Sequence, residues 1–304
     1  MKKITLVCAT AALALSASNT LLGQAYVTAV NNDNPFAYYR FNDTSSASDD
    51  TVTDEVGSND GLYFRDATLT ANNSLAGFGA GNTAFTVSSA DQNYARLGTL
   101  PGFGSSLDTG VTIEFWVNSS KTTQGGMGLF QSNSPGFFIN LDEHPSGSPV
   151  TDDNIRVYGQ LSGNGAPATY GGVAADTDIT DGTWNYFAAT LTVNAGGDSI
   201  MNVYTANAGD TATTLLSSTI LSDPTSGIAE DFSINFTVGV INVNSSASFY
   251  MDGMFDELAL YDSILTKEQL DAHVLASTVP EPSTYGILLG GAGLGFVLLR
   301  RRRV

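Results

Sequence analysis

The chain has 304 residues, one cysteine, 12 Lys and Arg against 30 Asp and Glu, and a net charge of −18 at pH 7. A single cysteine excludes a disulfide framework. So acidic a balance repels nucleic acid and anionic head groups, and no nucleic acid partner is expected.

Residues 1–25 read as a secretory signal peptide. Lys2 and Lys3 form the positive start, residues 4–15 the apolar run, and Gly23, Gln24 and Ala25 the small-residue cleavage site. Cys8 lies inside that apolar run, so the mature chain holds no cysteine. The length of residues 26–278 suits one large all-β domain as well as two small ones, and one is expected; it holds six Lys and Arg against 29 Asp and Glu, a net charge of −23. That length can bury most of its chain surface without a covalent staple.

The body alternates short runs of period two with stretches rich in Gly, Ser, Thr, Asn and Asp, the pattern of an all-β sandwich. A short helical turn is expected over 26–31, stopped before Pro35. In the first strand, 36–41, Phe36, Tyr38 and Arg40 share one face and Ala37, Tyr39 and Phe41 the other. A polar loop over 42–61 follows. Further strands are expected at 62–65, 84–88, 94–97, 111–118, 128–131, 136–141 and 155–161, then at 184–193, 200–205, 214–221, 233–240 and 253–261. In the strand over 111–118, Val111, Ile113, Phe115 and Val117 fall on one face and Thr112, Glu114 and Trp116 on the other. Thr266 to Gln269 is a T-x-x-Q capping box that starts a helix running to about Ala276. No repeat recurs at a fixed period, which disfavours a propeller or solenoid.

The last segment, 279–304, has three parts. Pro280, Glu281 and Pro282 hold the chain extended. Residues 285–299 carry no charge. As a helix these 15 residues would span roughly 22 Å, short of the roughly 30 Å hydrocarbon core. Arg300, Arg301, Arg302 and Arg303 close it and anchor the end on the cytoplasmic side. An ordinary C-terminal anchor would share parts of this order. The whole order resembles the PEP-CTERM sorting signal of Gram-negative bacteria. That resemblance implies insertion of a transmembrane segment in the inner membrane, recognition by an exosortase-type enzyme and cleavage near the triplet. The domain would then reach the cell surface or extracellular matrix.

Five segments of the domain, in order, resemble the LamG-like jelly-roll family of concanavalin A-like sandwiches. They are PFAYYRFN at 35–42, GSNDGLY at 57–63, VTIEFWV at 111–117, DGTWNY at 181–186 and FDELALYD at 255–262, the last followed by Leu265, Thr266 and the helix. The expected fold is thus all-β: a concanavalin A-like, LamG-like jelly-roll sandwich with a short C-terminal helix. It is flanked by the signal peptide and the hydrophobic sorting helix.

Enzymes on such sandwiches carry paired carboxylates within one strand, since glycoside hydrolysis needs two flanking one bond. Glu114 stands alone in its strand. Asp256 and Glu257 are adjacent and so are expected on opposite faces. Two separated histidines, His144 and His273, support no nucleophilic triad, and His273 reads as a surface or packing residue. No enzymatic activity is expected.

Asp256, placed in one row with Leu258 and Leu260, needs either hydrogen-bond donors or a cation. The family resemblance implies one Ca2+ held by Asp256 with Asp54 and Asn59. The alternative is that Asp256 ties the loop at 57–61 through backbone N–H groups. Tyr158, Tyr170 and Tyr204 are candidate platforms for sugar rings, and Trp184 is expected in the core. The expected function is non-catalytic adhesion or exopolysaccharide association. A glycan-active enzyme or a purely structural matrix protein are the alternatives.

Overall fold

The computed structural model describes residues 24–98, 100–103, 110–119, 127–132, 137–142, 154–161, 169–176, 182–192, 199–221, 236–241 and 249–279. Ala25, at the expected cleavage site, opens the first helix, while residues 1–23 of the expected signal peptide and the segment from Pro280 onward lie outside these residues. So do His144 and most of the turn at 176–182. Among the described residues no helix is long and apolar enough to cross a membrane.

Helix α1 (Ala25–Asn32) precedes the strands and α2 (Lys267–Thr278) follows them. The strands are β1 (Ala37–Tyr39), β2 (Thr51–Val52), β3 (Gly61–Phe64), β4 (Thr68–Ala71), β5 (Thr83–Val87), β6 (Tyr94–Gly98) and β7 (Val111–Asn118). They continue as β8 (Met127–Ser132), β9 (Phe137–Asp142), β10 (Asn154–Leu161), β11 (Thr169–Asp176), β12 (Trp184–Thr192), β13 (Ser199–Asn207) and β14 (Thr214–Leu221). Last come β15 (Phe236–Val238), β16 (Val240–Ile241), β17 (Phe249–Tyr250) and β18 (Gly253–Tyr261). One antiparallel sheet runs β14-β13-β12-β7-β18-β5-β4, with β1 also paired to β18. The second runs β11-β10-β9-β8-β15-β6-β3-β2, and β16 pairs with β17. This is the expected sandwich. The expectation lacked β2, β4, β11, β16 and β17, which are short, polar or glycine-rich.

At its centre, along β7, β12 and β18, the first sheet is buried on both faces. Val111, Ile113, Phe115 and Val117 of β7 point into the core between the sheets, with Ala37, Tyr39, Phe41, Leu258 and Leu260. Trp116, Tyr38, Tyr186 and Tyr261 point the other way, into a second apolar cluster closed by Tyr26 and Val30 of α1, Phe78 and Leu270 and Val274 of α2. The alternation read in the sequence is therefore correct, and both of its faces are dry. Trp184 is 4% exposed and belongs to this second cluster.

The helices are set by local chemistry. The Thr266 side chain accepts from Gln269 N, and the Gln269 side chain accepts from Thr266 N, completing the capping box. Gln269 Nε2 reaches across to Asp33 Oδ1 at 2.7 Å, so the C-terminal end of α1 lies beside the first turn of α2. Gly77, in the 3-10 turn Ala76–Phe78, meets α2 so closely that an added Cβ would lie 1.9 Å from Ala276 O.

One irregularity matters most. Strand β18 pairs with β5 through Gly253–Phe255 and with β1 through Leu258–Leu260. Opposite β7, Asp256 faces Trp116 while Ala259 faces Glu114, so β18 carries one extra residue there. Glu257 absorbs it at φ +54°. This is a β-bulge, which re-aims side chains along the bulged strand.

Candidate functional site

The bulge overturns the expected parity of Asp256 and Glu257. Phe255, Leu258 and Leu260 face the inter-sheet core, so Asp256 does not share a row with the two leucines. Both acids instead enter one polar network, fully buried. Asp256 Oδ2 accepts from Asn72 Nδ2 at 2.7 Å and Asn82 Nδ2 at 2.6 Å. Arg40 links the two acids: its Nη2 donates to Glu257 Oε1 at 3.2 Å and to Asn82 Oδ1 at 3.3 Å. The Tyr38 hydroxyl donates to Glu257 Oε2. Asp256 Oδ1 is buried without a hydrogen-bond partner. Burial, and then the neighbouring Glu257, push the Asp256 carboxyl well above the ordinary carboxylate range. Burial also pushes Glu257 up to about 7 despite Arg40 and Tyr38.

A second buried network lies under α2. Of the two roles read for His273, surface or packing, the structure shows the buried one: its side chain is 1% exposed. Its Nδ1 is 3.0 Å from Glu114 Oε2 and its Nε2 is 2.9 Å from Asp33 Oδ2. Two carboxylate partners require both ring nitrogens to carry hydrogen, so the group is an imidazolium. Burial works against that charge, but Glu114 and Asp33 outweigh it and raise the His273 pKa. Burial likewise works against Glu114, and His273, with hydrogen bonds from Tyr186 and Tyr261, holds its carboxyl below the ordinary range. Helix α1, β7 and α2 are thus joined by one charged chain.

These acids and the histidine are chemically competent groups in sealed surroundings. Glu114, Asp256, Glu257 and His273 are all 0% exposed. Apart from Asp256 Oδ1, each is turned toward donors and acceptors of the fold itself, so the arrangement stabilises the sandwich.

The remaining candidates are placed as follows. Asp54 Oδ1 accepts from Tyr38 N at 3.0 Å and Val56 N at 3.2 Å, while Oδ2 accepts from Asn59 N and Asn59 Nδ2, both at 3.1 Å. Asp54, and not Asp256, therefore ties down the loop at 57–61. Asp54 and Asn59 meet, whereas the contacts of Asp256 run to Asn72 and Asn82. The calcium trio does not share hydrogen-bond partners, and Asp54 already faces four N–H groups. Among the described residues no group of three or more His, Cys, Asp or Glu gathers to hold a metal. Asp256 Oδ1 is a buried carboxylate oxygen left without a hydrogen-bond partner, the kind of ligand a cation takes.

Tyr204 is 9% exposed and packs in the second apolar cluster, so its ring face is not open to a sugar. Tyr158 lies in β10 opposite Gly172, and Tyr170 in β11 opposite Gln160, at the far edge of the second sheet. The sorting residues Pro280, Glu281, Pro282 and Arg300–Arg303 fall outside the described residues. Sequence reading missed Asn72, Asn82 and the role of Arg40. The outward alternation of Tyr38 and Arg40 was the available signal.

Residues 278–303 match the model of the PEP-CTERM protein-sorting motif. A search of curated proteins returns no match. Similar solved structures include a botulinum neurotoxin type C structure, described as depending on interaction with two ganglioside molecules to enter cells. It is 12% identical with a TM-score of 0.58, over 83% of this chain and 53% of that one. The binding domain of botulinum neurotoxin serotype D/C is 13% identical with a TM-score of 0.54, over 81% and 53%. The binding domain of neurotoxin DC in complex with SialylT is 12% identical with a TM-score of 0.53, over 78% and 52%. The chain spans about half the length of these structures, and at this identity the likeness is one of fold: a β-sandwich shared with binding domains. The C-terminal segment carries a PEP-CTERM sorting motif, which marks an exported, exosortase-sorted protein of the surface or extracellular matrix.

Proposed function

We propose that this protein is a non-catalytic, carbohydrate-binding sandwich of the LamG-like type, displayed on the cell surface or in the matrix of a Gram-negative bacterium. The sealed environment of Glu114, Asp256, Glu257 and His273 carries the non-catalytic part: the strongest acid–base groups among the described residues are committed to holding helices and strands together. The sandwich fold shared with neurotoxin structures, one described by its interaction with gangliosides and one in complex with SialylT, supports glycans as ligand class. The sorting motif supplies the route, with transient anchoring in the inner membrane through the apolar segment before an exosortase-type enzyme releases the domain.

A bound Ca2+ would use Asp256 Oδ1, beside which Asn72 and Asn82 turn N–H groups rather than oxygens to the carboxylate; both Asp54 oxygens already accept N–H groups elsewhere. It would supply charge neutralisation for the buried Asp256 and Glu257 pair. The deciding experiment is a glycan array probed with the secreted protein, with and without calcium, beside an assay for new reducing ends. Binding without turnover supports the proposal, and release of reducing ends transfers it to a glycan-active enzyme.

A further inference from the structure

The side of the second sheet away from the core carries a row of rings with an arginine at each end; its central ring, Tyr94, is 6% exposed, so the arginines and Leu62 are what the row presents to a ligand. Tyr63 of β3 pairs with Ala95 of β6, and both point into the core. Alternation then leaves Leu62, Phe64, Tyr94 and Arg96 on the opposite face, with Leu62 across from Arg96 and Phe64 across from Tyr94. The Phe64 and Tyr94 rings stack at 4.7 Å with 2° between their planes. The Arg96 guanidinium lies 4.7 Å from the centre of the Phe64 ring. Tyr250 of β17 continues the row 6.5 Å from Tyr94, and the Arg65 guanidinium sits 5.9 Å from its ring. Arg65 also donates to the Gln92 side-chain carbonyl. Leu62 beside the row is 40% exposed.

Charge singles this place out. The domain's six cations serve 29 acids. Arg40 is spent on buried Glu257 and Lys267 on Asp271. Among the described residues Arg65 and Arg96 face no carboxylate within ion-pair distance, being held against rings instead. Two guanidinium groups kept from the acids around them, at one patch of a strongly negative surface, suit an anion that comes from outside.

We propose that this arginine-ended row binds an acidic polysaccharide through the carboxylates of its uronic acid residues. The proposal rests on the carbohydrate-binding reading above and narrows it. A guanidinium lying on a ring keeps in-plane N–H groups for a ligand: Arg96 its whole fork, and Arg65 the edge left by the Nη1 that donates to Gln92, each able to match a carboxylate with two parallel hydrogen bonds. Stacking also fixes the side chain beforehand, which lowers the ordering cost of binding. The exposed Leu62 supplies an apolar surface for the C–H face of the adjoining sugar. The surrounding negative charge opposes long polyanions at low salt, so affinity for them rises as screening removes that repulsion before it weakens the direct contacts.

The test uses the secreted protein and short oligosaccharides of galacturonate, glucuronate and mannuronate, each beside its carboxyl-reduced counterpart, with affinity read by calorimetry. At least one uronide is expected to bind, and its reduced form at least about tenfold more weakly, as loss of a charge-assisted contact requires. Arg65→Ala and Arg96→Ala are each expected to lower affinity at least about tenfold, with melting temperatures unchanged. Arg96→Lys is expected to weaken binding because an ammonium lacks the fork. Binding to neutral glycans but to none of the uronides overturns the inference and leaves the broader function standing. Uronide binding that the Arg65 and Arg96 variants leave intact overturns the location. Binding to no glycan at all overturns both.

Discussion

Replacing His273 by glutamine tests the charged chain beneath α2. Glutamine keeps one polar contact and removes the positive charge that compensates buried Glu114. The Tyr186 and Tyr261 hydroxyls would still reach the carboxylate, but no cation would. Removing one partner of a buried ion pair costs about 3–5 kcal/mol. For a domain of this size that is a fall in melting temperature of about 6–20 °C. The pH dependence is the sharper readout. The His273 pKa lies above 6.5 in the folded state, so its contribution is complete below pH 6.5 and is lost as the pH rises through the raised value. Glu114 lies below 4.5, so its contribution is complete above pH 4.5 and is lost as the pH falls through the lowered value. Wild type should therefore exceed H273Q most between pH 4.5 and 6.5, with the gap closing on the alkaline side. Glu257, raised to about 7, weakens both proteins alike as the pH rises, so the difference between them isolates the histidine. Thermal melts across pH 4–9 read both quantities. A deficit under about 2 °C at pH 6, or one that does not change with pH, would refute the reasoning.

Three further outcomes are expected. The added methyl of Gly77→Ala falls 1.9 Å from Ala276 O, so the 3-10 turn must part from α2; the variant should melt several degrees lower, while Gly81→Ala, with open space around it, tests the strain of φ +84° alone. If Ca2+ is held through Asp256 Oδ1, a chelator lowers the melting temperature of wild type and leaves that of Asp256→Asn unmoved; equal curves for wild type with and without chelator dismiss the ion. Mass spectrometry of the secreted protein should find a C-terminus near the Pro280–Pro282 triplet and none of Arg300–Arg303, and an intact tail would contradict exosortase release.

Much of the architecture could be read from local pattern. The period-two alternation of β7 and β18, the T-x-x-Q start of α2 and the triplet–apolar–arginine order of the tail each arise from neighbours in the chain, where backbone geometry dictates the result. β11, with its glycines and alanines, and the two-residue β2 carry too little local signal, because their pairing comes from the rest of the sheet. Tyr204 shows the same limit from the side of exposure. Its polar sequence neighbours suggest an open ring, but the cluster under the helices covers it.

The candidate sites diverge from the sequence at one residue. Adjacent acids in a regular strand must point apart, and that rule assigns Asp256 and Glu257 to opposite faces. A bulge depends on how β18 is shared among β5, β1 and β7, which no local pattern announces. It places both acids in one buried network with Arg40, and leaves Asp54 to brace the loop at 57–61 for which Asp256 was one candidate. His273 follows the same logic, since its partners Glu114 and Asp33 lie 159 and 240 residues away in the chain. The sequence by itself determined the sandwich class, the capped last helix, the acidic surface and the sorting signal, because these depend on composition and on residues a few positions apart. Only the tertiary structure decided which charged groups are sealed in the fold and which arginines stay at its surface, because burial and pairing are set by contacts between distant segments.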